Sequence, residues 1–434
     1  MSSLAMGFGG FAAIVLLIAL RVPVGLALAS VAFLGIAMLL GFDIALSLLR
    51  ILPFDFVATW ELSAIPMFLL MGSIAHRSGM TTSLFEAARV WLGRLPGGLA
   101  VATNFACAGF AAASGSSLAT TMAIGRITIP EMRRHGYDPG LATGVVACAG
   151  TLGILIPPSI IMVIYGIFAE VSVAALFIAG IIPGLLTAVI YAAQIIIRCT
   201  LDPSLAPVVD ERPTWAERWK TLREVWPLPL LILGVIGGIY SGLATPTEAG
   251  ALGAFLALVI AIAQRRMSLK AFREAAREAV FSTASIFFVA IGAVLLTRFM
   301  AFSGVPVFLG AAVQDLAIHP IWLVIAIAVI YLILGMFLDP LGMMLLTLPV
   351  FLPMFHAIQL DLIWFGILLV KFIEIGLITP PVGLNVYGVK VMVPEIPLGT
   401  IFRGAGWFLL SEVVIVTLLI AFPQLSLFLP SLMP

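Results

Sequence analysis

Apolar stretches of about 20 residues, each long enough to cross a hydrocarbon core, recur from one end of the chain to the other with only short polar interruptions. The pattern predicts an all-α, polytopic membrane protein. The first stretch, Leu4 to Leu20, has the apolarity of a secretory leader but lacks a basic n-region. Arg21 and Pro23 stand where a small-residue cleavage site belongs, so it is read as a span.

Composition strengthens this reading. The 434 residues are 62% hydrophobic and 10% charged, and the mean hydropathy is +1.21. A soluble chain carries about 25% charged residues, and this one has too few to build a wetted surface. No polar stretch reaches domain size. Cys107, Cys148 and Cys199 lie in or beside apolar segments without C-x-x-C spacing, as small buried hydrophobes do. The net charge of +1 points to no partner class, nucleic acid included.

An internal repeat organises the spans. Gly153-Ile154-Leu155-Ile156-Pro157-Pro158 resembles Gly376-Leu377-Ile378-Thr379-Pro380-Pro381, an offset of 223 (376 less 153). At that offset Pro23 meets Pro246 and Pro130 meets Pro353; with slips of one or two residues, Ser78-Gly79 meets Ser303-Gly304 and Pro96 meets Pro320. Basic residues in short loops mark the cytoplasmic side. Arg77, Arg89 and Arg94 follow the third span, whereas the matching segment Gly304 to His319 holds only Asp315. Conversely, Gln264 to Glu278 carries five basic residues, against Arg50 alone in Gly41 to Asp55. The copies are therefore expected to be inverted.

The resulting threading has about ten spans. Residues 1–200 form the first repeat with a re-entrant hairpin at 97–130. Residues 201–227 form a cytoplasmic linker, and 228–434 the second repeat with a hairpin at 320–356. Both termini are expected to face the periplasm. Of the 22 Lys and Arg, all but Arg50, Arg126, Arg298 and Lys371 then fall on the cytoplasmic side, which leaves 18. Thr214 and Glu217 form a capping box ahead of Trp215, Trp219, Leu222 and Trp226, the pattern of an interfacial helix against lipid. Ser83 and Glu86 suggest a similar cap.

Irregular backbone at membrane depth is tolerated only where it lines a cavity or is buried in protein. Such backbone is predicted at both hairpin tips and at two helices broken by Pro157-Pro158 and Pro380-Pro381. Tips facing breaks supply cation sites and an anion cradle, the plan of a secondary transporter. A hard cation such as sodium prefers oxygen ligands. Candidates are Ser114, Ser116, Ser117, Thr120, Thr151 and Ser159 with carbonyls around Gly115 and Gly153. In the second repeat they are Asp339, Thr379 and Asn385 with carbonyls around Gly335 and Gly376. Arg298 lies within a span and suits a substrate carboxylate, with Ser116 and Asn385 as further substrate contacts; snorkelling to the outer interface is the alternative for Arg298. Lys371 and Glu374, three apart, are expected to neutralise each other, and Arg126 to meet hairpin backbone or Glu131. Glu248 suits a helix N-terminus. There is no P-loop, H-E-x-x-H, G-x-S-x-G elbow or cysteine/histidine cluster, so nothing reads as an enzyme or calls for an organic cofactor.

Ala111 to Ser117, Gly153 to Ser159, Phe337-Leu338-Asp339-Pro340 and Gly376 to Asn385 together resemble the large membrane subunit of TRAP transporters, the tripartite ATP-independent periplasmic systems of C4-dicarboxylate type. The resemblance covers essentially the whole chain. It implies sodium-driven import of an organic anion (a C4-dicarboxylate, a sialic acid, a keto acid or another carboxylate) across the bacterial inner membrane by an elevator-like moving domain. It also implies two partners, a small four-span membrane subunit and a periplasmic substrate-binding protein, with sodium on the tip serines and the Asp339 region. The start of the chain is consistent with an unfused large subunit. A stand-alone sodium- or proton-coupled carboxylate symporter of the same architecture, and more distantly a channel, remain open alternatives.

Overall fold

A computed structural model describes residues 2–207, 213–316 and 319–433. Among them the protein is helical throughout and has no strand, which satisfies backbone groups internally, as lipid requires. Many helices begin where the sequence supplies a cap. Asp138, Asp339 and Thr245 each precede a proline at the first helical position and accept a backbone N–H, and Thr245 forms a capping box with Glu248. Among the described residues, five helices are long and apolar enough to cross a membrane: Val173–Leu201, Pro246–Ala263, Leu269–Ser303, Pro340–Ala357 and Leu398–Ala421. Two bent pairs raise the number to as many as seven. Leu233, Phe255 and Val413 are exposed, apolar surface suited to lipid.

Helices recur in the same order along the two halves. Val24–Leu40 matches Pro246–Ala263, Gly98–Ser114 matches Pro320–Gly335, Ser117–Arg134 matches Pro340–Ala357, and Val173–Leu201 matches Leu398–Ala421. One pair differs: Phe42–Val57 and Trp60–Arg77 meet at a 57° bend, while their counterpart Leu269–Ser303 runs unbroken for 35 residues.

Three connections differ from the sequence expectation. Gly41 to Asp55, read as a loop from its charges, is the helix Phe42–Val57, with Asp43 in the first turn where the dipole favours a carboxylate. Gly304 to His319 contains the helix Val305–Asp315; Ala317 and Ile318 lie outside the described residues. In the basic segment, Ser268 caps a helix starting at Leu269, so most of its charges ride on the first turns of a span. Ser83 caps nothing. Gly79, in the left-handed conformation at φ 79°, ends one helix and starts the next at Met80. Ser83 falls inside that helix and accepts a hydrogen bond from Arg266 at 3.3 Å.

In the linker, Thr214 and Glu217 form the expected capping box, and Trp215, Trp219, Leu222 and Trp226 are exposed. Residues 208–212 of the linker lie outside the described residues.

Packing separates two groups of helices. Val24–Leu40, Phe42–Arg77, Pro246–Ala263 and Leu269–Ser303 pack on one another. The first hairpin (Gly98–Ser114 and Ser117–Arg134), the helices flanking both Pro-Pro breaks, Val173–Leu201 and Leu398–Ala421 form the other. The second hairpin (Pro320–Gly335 and Pro340–Ala357) touches both. The groups face each other across the cavities described next.

Candidate functional site

The first hairpin turns because Gly115 adopts φ 63°, a conformation that a side chain disfavours. Ser116 then caps the returning arm by accepting the Ala119 N–H. The tip is seated on the first break. The Ile160 amide donates to the Gly115 carbonyl at 3.4 Å, and a Cβ on Gly115 would lie 2.9 Å from the Pro158 carbonyl oxygen. The second tip meets the second break through the bare Cα atoms of Gly335 and Gly376; a Cβ on Gly335 would approach Gly376 Cα to 2.6 Å.

Both tips and both breaks open on one cavity of about 410 Å³, lined by Gly115, Ser116 and Ser117 from one side and by Asp339, Pro340 and Leu384 from the other. Four helices begin at this cavity, at Ser117, Ile160, Pro340 and Leu384. Their N-terminal partial positive charges converge there, an environment suited to an anion. Asp339 offsets one of them, accepting the Leu341 and Gly342 amides on Oδ2 at 3.2 Å each.

Behind the first tip lies a tight oxygen cluster. Ser114 Oγ and Thr120 Oγ1 are 2.6 Å apart, and Thr120 donates to the Ser116 carbonyl at 2.9 Å. Gly153 presses against them: a Cβ there would lie 2.4 Å from the Ser116 carbonyl oxygen and 2.7 Å from Thr120 Oγ1. Two hydroxyls and a carbonyl in contact form a donor set fit for a hard cation. Among the described residues no group of three or more His, Cys, Asp or Glu could hold a metal.

The remaining candidates sit elsewhere. Thr151 donates to the Cys148 carbonyl at 2.7 Å and Thr379 to Ile375 at 2.6 Å, each turned back on its own helix. Ser159 donates to the Ile154 carbonyl at 2.6 Å and caps the helix after the break. Asn385 bridges the two broken helices through the Ala147 carbonyl at 3.1 Å, with its Oδ1 buried and unpartnered. Arg298 is exposed and lines none of the described cavities.

Two features were not legible beforehand. Thr121, beside Thr120, has a buried hydroxyl without a partner against Gly150; only the Thr-Thr pair could have hinted at it. A second cavity of about 510 Å³ adjoins the first, sharing Leu69, Ser116, Leu118 and Ser282. It contains Arg126, which makes no ion pair or hydrogen bond with the described residues, since Glu131 pairs instead with Arg134 and His135. Arg77 at the same cavity is held by Glu274 at 2.7 Å and Glu278 at 3.1 Å. Arg126 is thus the cavity's free guanidinium.

Helices that stop and restart around an internal cavity, in a bundle with an apolar exterior, define a multi-pass membrane transporter. The profile of the family described as "Tripartite ATP-independent periplasmic transporter, DctM component" matches residues 11–425, and the chain belongs to that family. It is a TRAP large permease, a transporter and not an enzyme. It is 39% identical over 386 residues to the C4-dicarboxylate TRAP transporter large permease DctM of Pseudomonas aeruginosa, covering 88% of this chain and 89% of that one. It is 33% identical to the ectoine/5-hydroxyectoine large permease UehC of Ruegeria pomeroyi, covering 97% and 98%. It is also 32% identical to the sialic acid large permease SiaM of Vibrio cholerae, covering 87% of each. The YdaH transporter of Alcanivorax borkumensis shares the fold, with a TM-score of 0.61 at 16% identity over 88% of this chain and 89% of that one.

Proposed function

We propose that this chain imports an organic acid anion across the bacterial inner membrane, coupled to sodium, as the large permease of a three-part system. A small membrane subunit and a periplasmic binding protein would complete it. The observation that carries the reading is the convergence of both tips and four helix N-termini on one cavity, with the hydroxyl cluster behind it. The N-termini and Arg126 favour a carboxylate. Ser114, Ser116 and Thr120 favour sodium, and Asp339 and Ser117 offer further oxygens across the cavity. Relatives named for C4-dicarboxylate, ectoine and sialic acid support a small polar organic substrate without choosing among them.

Coupling follows if sodium binds one conformation better than the other, the only way a ligand shifts an equilibrium. Sodium in the cluster would draw Ser114, Ser116 and Thr120 together and seat the tip on Gly153. The division of helices into two packing groups supports an elevator-like displacement of the hairpin group against the other. The two halves are read as inverted repeats, with residues 201–227 as a cytoplasmic linker.

The test is reconstitution in liposomes under a sodium gradient, with and without the small subunit and the binding protein. Concentrative uptake that needs both partners and the gradient is expected. Robust uptake by this chain alone would favour the stand-alone symporter.

A further inference from the structure

Lys371 and Glu374 occupy the interior of Leu362–Ile378, and Glu412 approaches them from Leu398–Ala421; all three are at most 1% exposed. Lys371 Nζ donates to Glu374 Oε2 at 2.5 Å and to Glu412 Oε1 at 2.8 Å, and lies 3.4 Å from Thr187 Oγ1. The Tyr191 hydroxyl also donates to Glu412. Glu374 Oε1 is buried without any partner. Two carboxyl groups therefore face one ammonium, and full ionisation would leave an uncompensated negative charge in a dry interior.

Among the described residues the neighbours supply no second cation. Val173–Leu201 presents Tyr191 and Thr187, and Pro139–Ala149 presents the Cys148 thiol near Glu412 and Lys371. Tyr165 donates to the Leu362 carbonyl and Tyr331 pairs with Thr347. A buried unpaired charge costs far more than an unpaired neutral hydroxyl, even after relaxation. Glu412 accepts from both Lys371 and Tyr191 on Oε1 and has Lys371 Nζ 2.8 Å from its Oε2, although that oxygen, like Glu374 Oε1, accepts no hydrogen bond. Glu374 has Lys371 as its single donor and is the carboxyl less well supported as an ion.

We propose that the Lys371–Glu374–Glu412 cluster is a proton-binding site, one proton residing on Glu374, separate from the oxygens at the hairpin tips. Glu374 stands two residues before Gly376, which packs on Gly335 of the second tip. Proton occupancy therefore bears on how firmly that tip is seated. Removing this proton would leave the uncompensated charge in the buried cluster and weaken the folded state.

The experiment uses the purified full chain in detergent and needs no transport. Infrared spectra at neutral pH are expected to show the carbonyl stretch of a protonated carboxyl, lost in both E374Q and E412Q, since either change leaves one carboxylate for one ammonium. Wild-type Tm is expected to fall as the pH is raised into the alkaline range, and E374Q to hold its Tm. The proposal is overturned if wild type lacks the band, if either variant retains it, or if the Tm of E374Q follows pH as wild type does. A band that is absent but replaced by sodium-dependent stability lost in E374Q would assign the site to a cation instead.

Discussion

Thr120→Val removes one hydroxyl from the oxygen cluster and leaves a side chain of similar shape. Thr120 is fully buried, with its Oγ1 2.6 Å from Ser114 Oγ and 2.9 Å from the Ser116 carbonyl. At a net contribution of about 1 kcal/mol per hydrogen bond, the change costs about 1–2 kcal/mol of stability. Ser114 recovers part of this through its own contact with the Ser116 carbonyl at 3.3 Å. Stability alone would leave a folded transporter with normal sodium dependence. If Thr120 Oγ1 is a sodium ligand, losing about 1.4 kcal/mol of cation binding raises the sodium concentration for half-maximal uptake about tenfold. Thr120→Ser keeps the oxygen and is expected to stay within about twofold of wild type. The assay is initial uptake against sodium concentration in liposomes carrying the whole system, with Tm measured on the same preparations. A valine variant with lowered Tm but wild-type sodium half-saturation would refute the reasoning and leave the cluster as packing.

Asp339→Ala removes the cap on Leu341 and Gly342, costing about 1 kcal/mol. It should loosen the second tip, and uptake should fall while the variant still inserts in membranes. Arg126→Gln should raise the substrate concentration for half-maximal transport about tenfold, about 1.4 kcal/mol of binding, without altering sodium dependence. Arg298→Gln, outside the described cavities, should leave both unchanged; kinetics in matched liposomes separate the two. With both termini periplasmic, cysteines placed at Ser3 and Leu432 should react with an impermeant thiol reagent from the periplasmic side, against little background since the native cysteines are buried. A C-terminal cysteine labelled only from the cytoplasm would sink the ten-span threading.

Much of this protein was legible one residue at a time. Hydropathy marked the chain as an all-helical membrane protein, since lipid admits only helices whose backbone is satisfied within the segment. Local punctuation set the interruptions: Ser114-Gly115-Ser116 turns because glycine permits φ 63°, and Asp339-Pro340 starts a helix because a cap and a fixed φ do so anywhere. The pairing of Lys371 with Glu374 was also local, being three residues apart on one helix. Charge placement misread the connections at Gly41 and Gly304 as loops, because a charged but otherwise apolar segment lying along a bundle folds as a helix.

Tertiary structure decided which polar groups share a space. Sequence spacing cannot tell that Thr151 and Thr379 turn back on their own helices while Ser114 and Thr120 meet. That depends on side-chain rotation and on Gly153 arriving from another helix. Nor can it bring Glu412 to Lys371 or set Arg126, rather than Arg298, on the cavity wall. Periodicity reports one helix against an averaged environment, whereas these contacts depend on how helices far apart in sequence are packed.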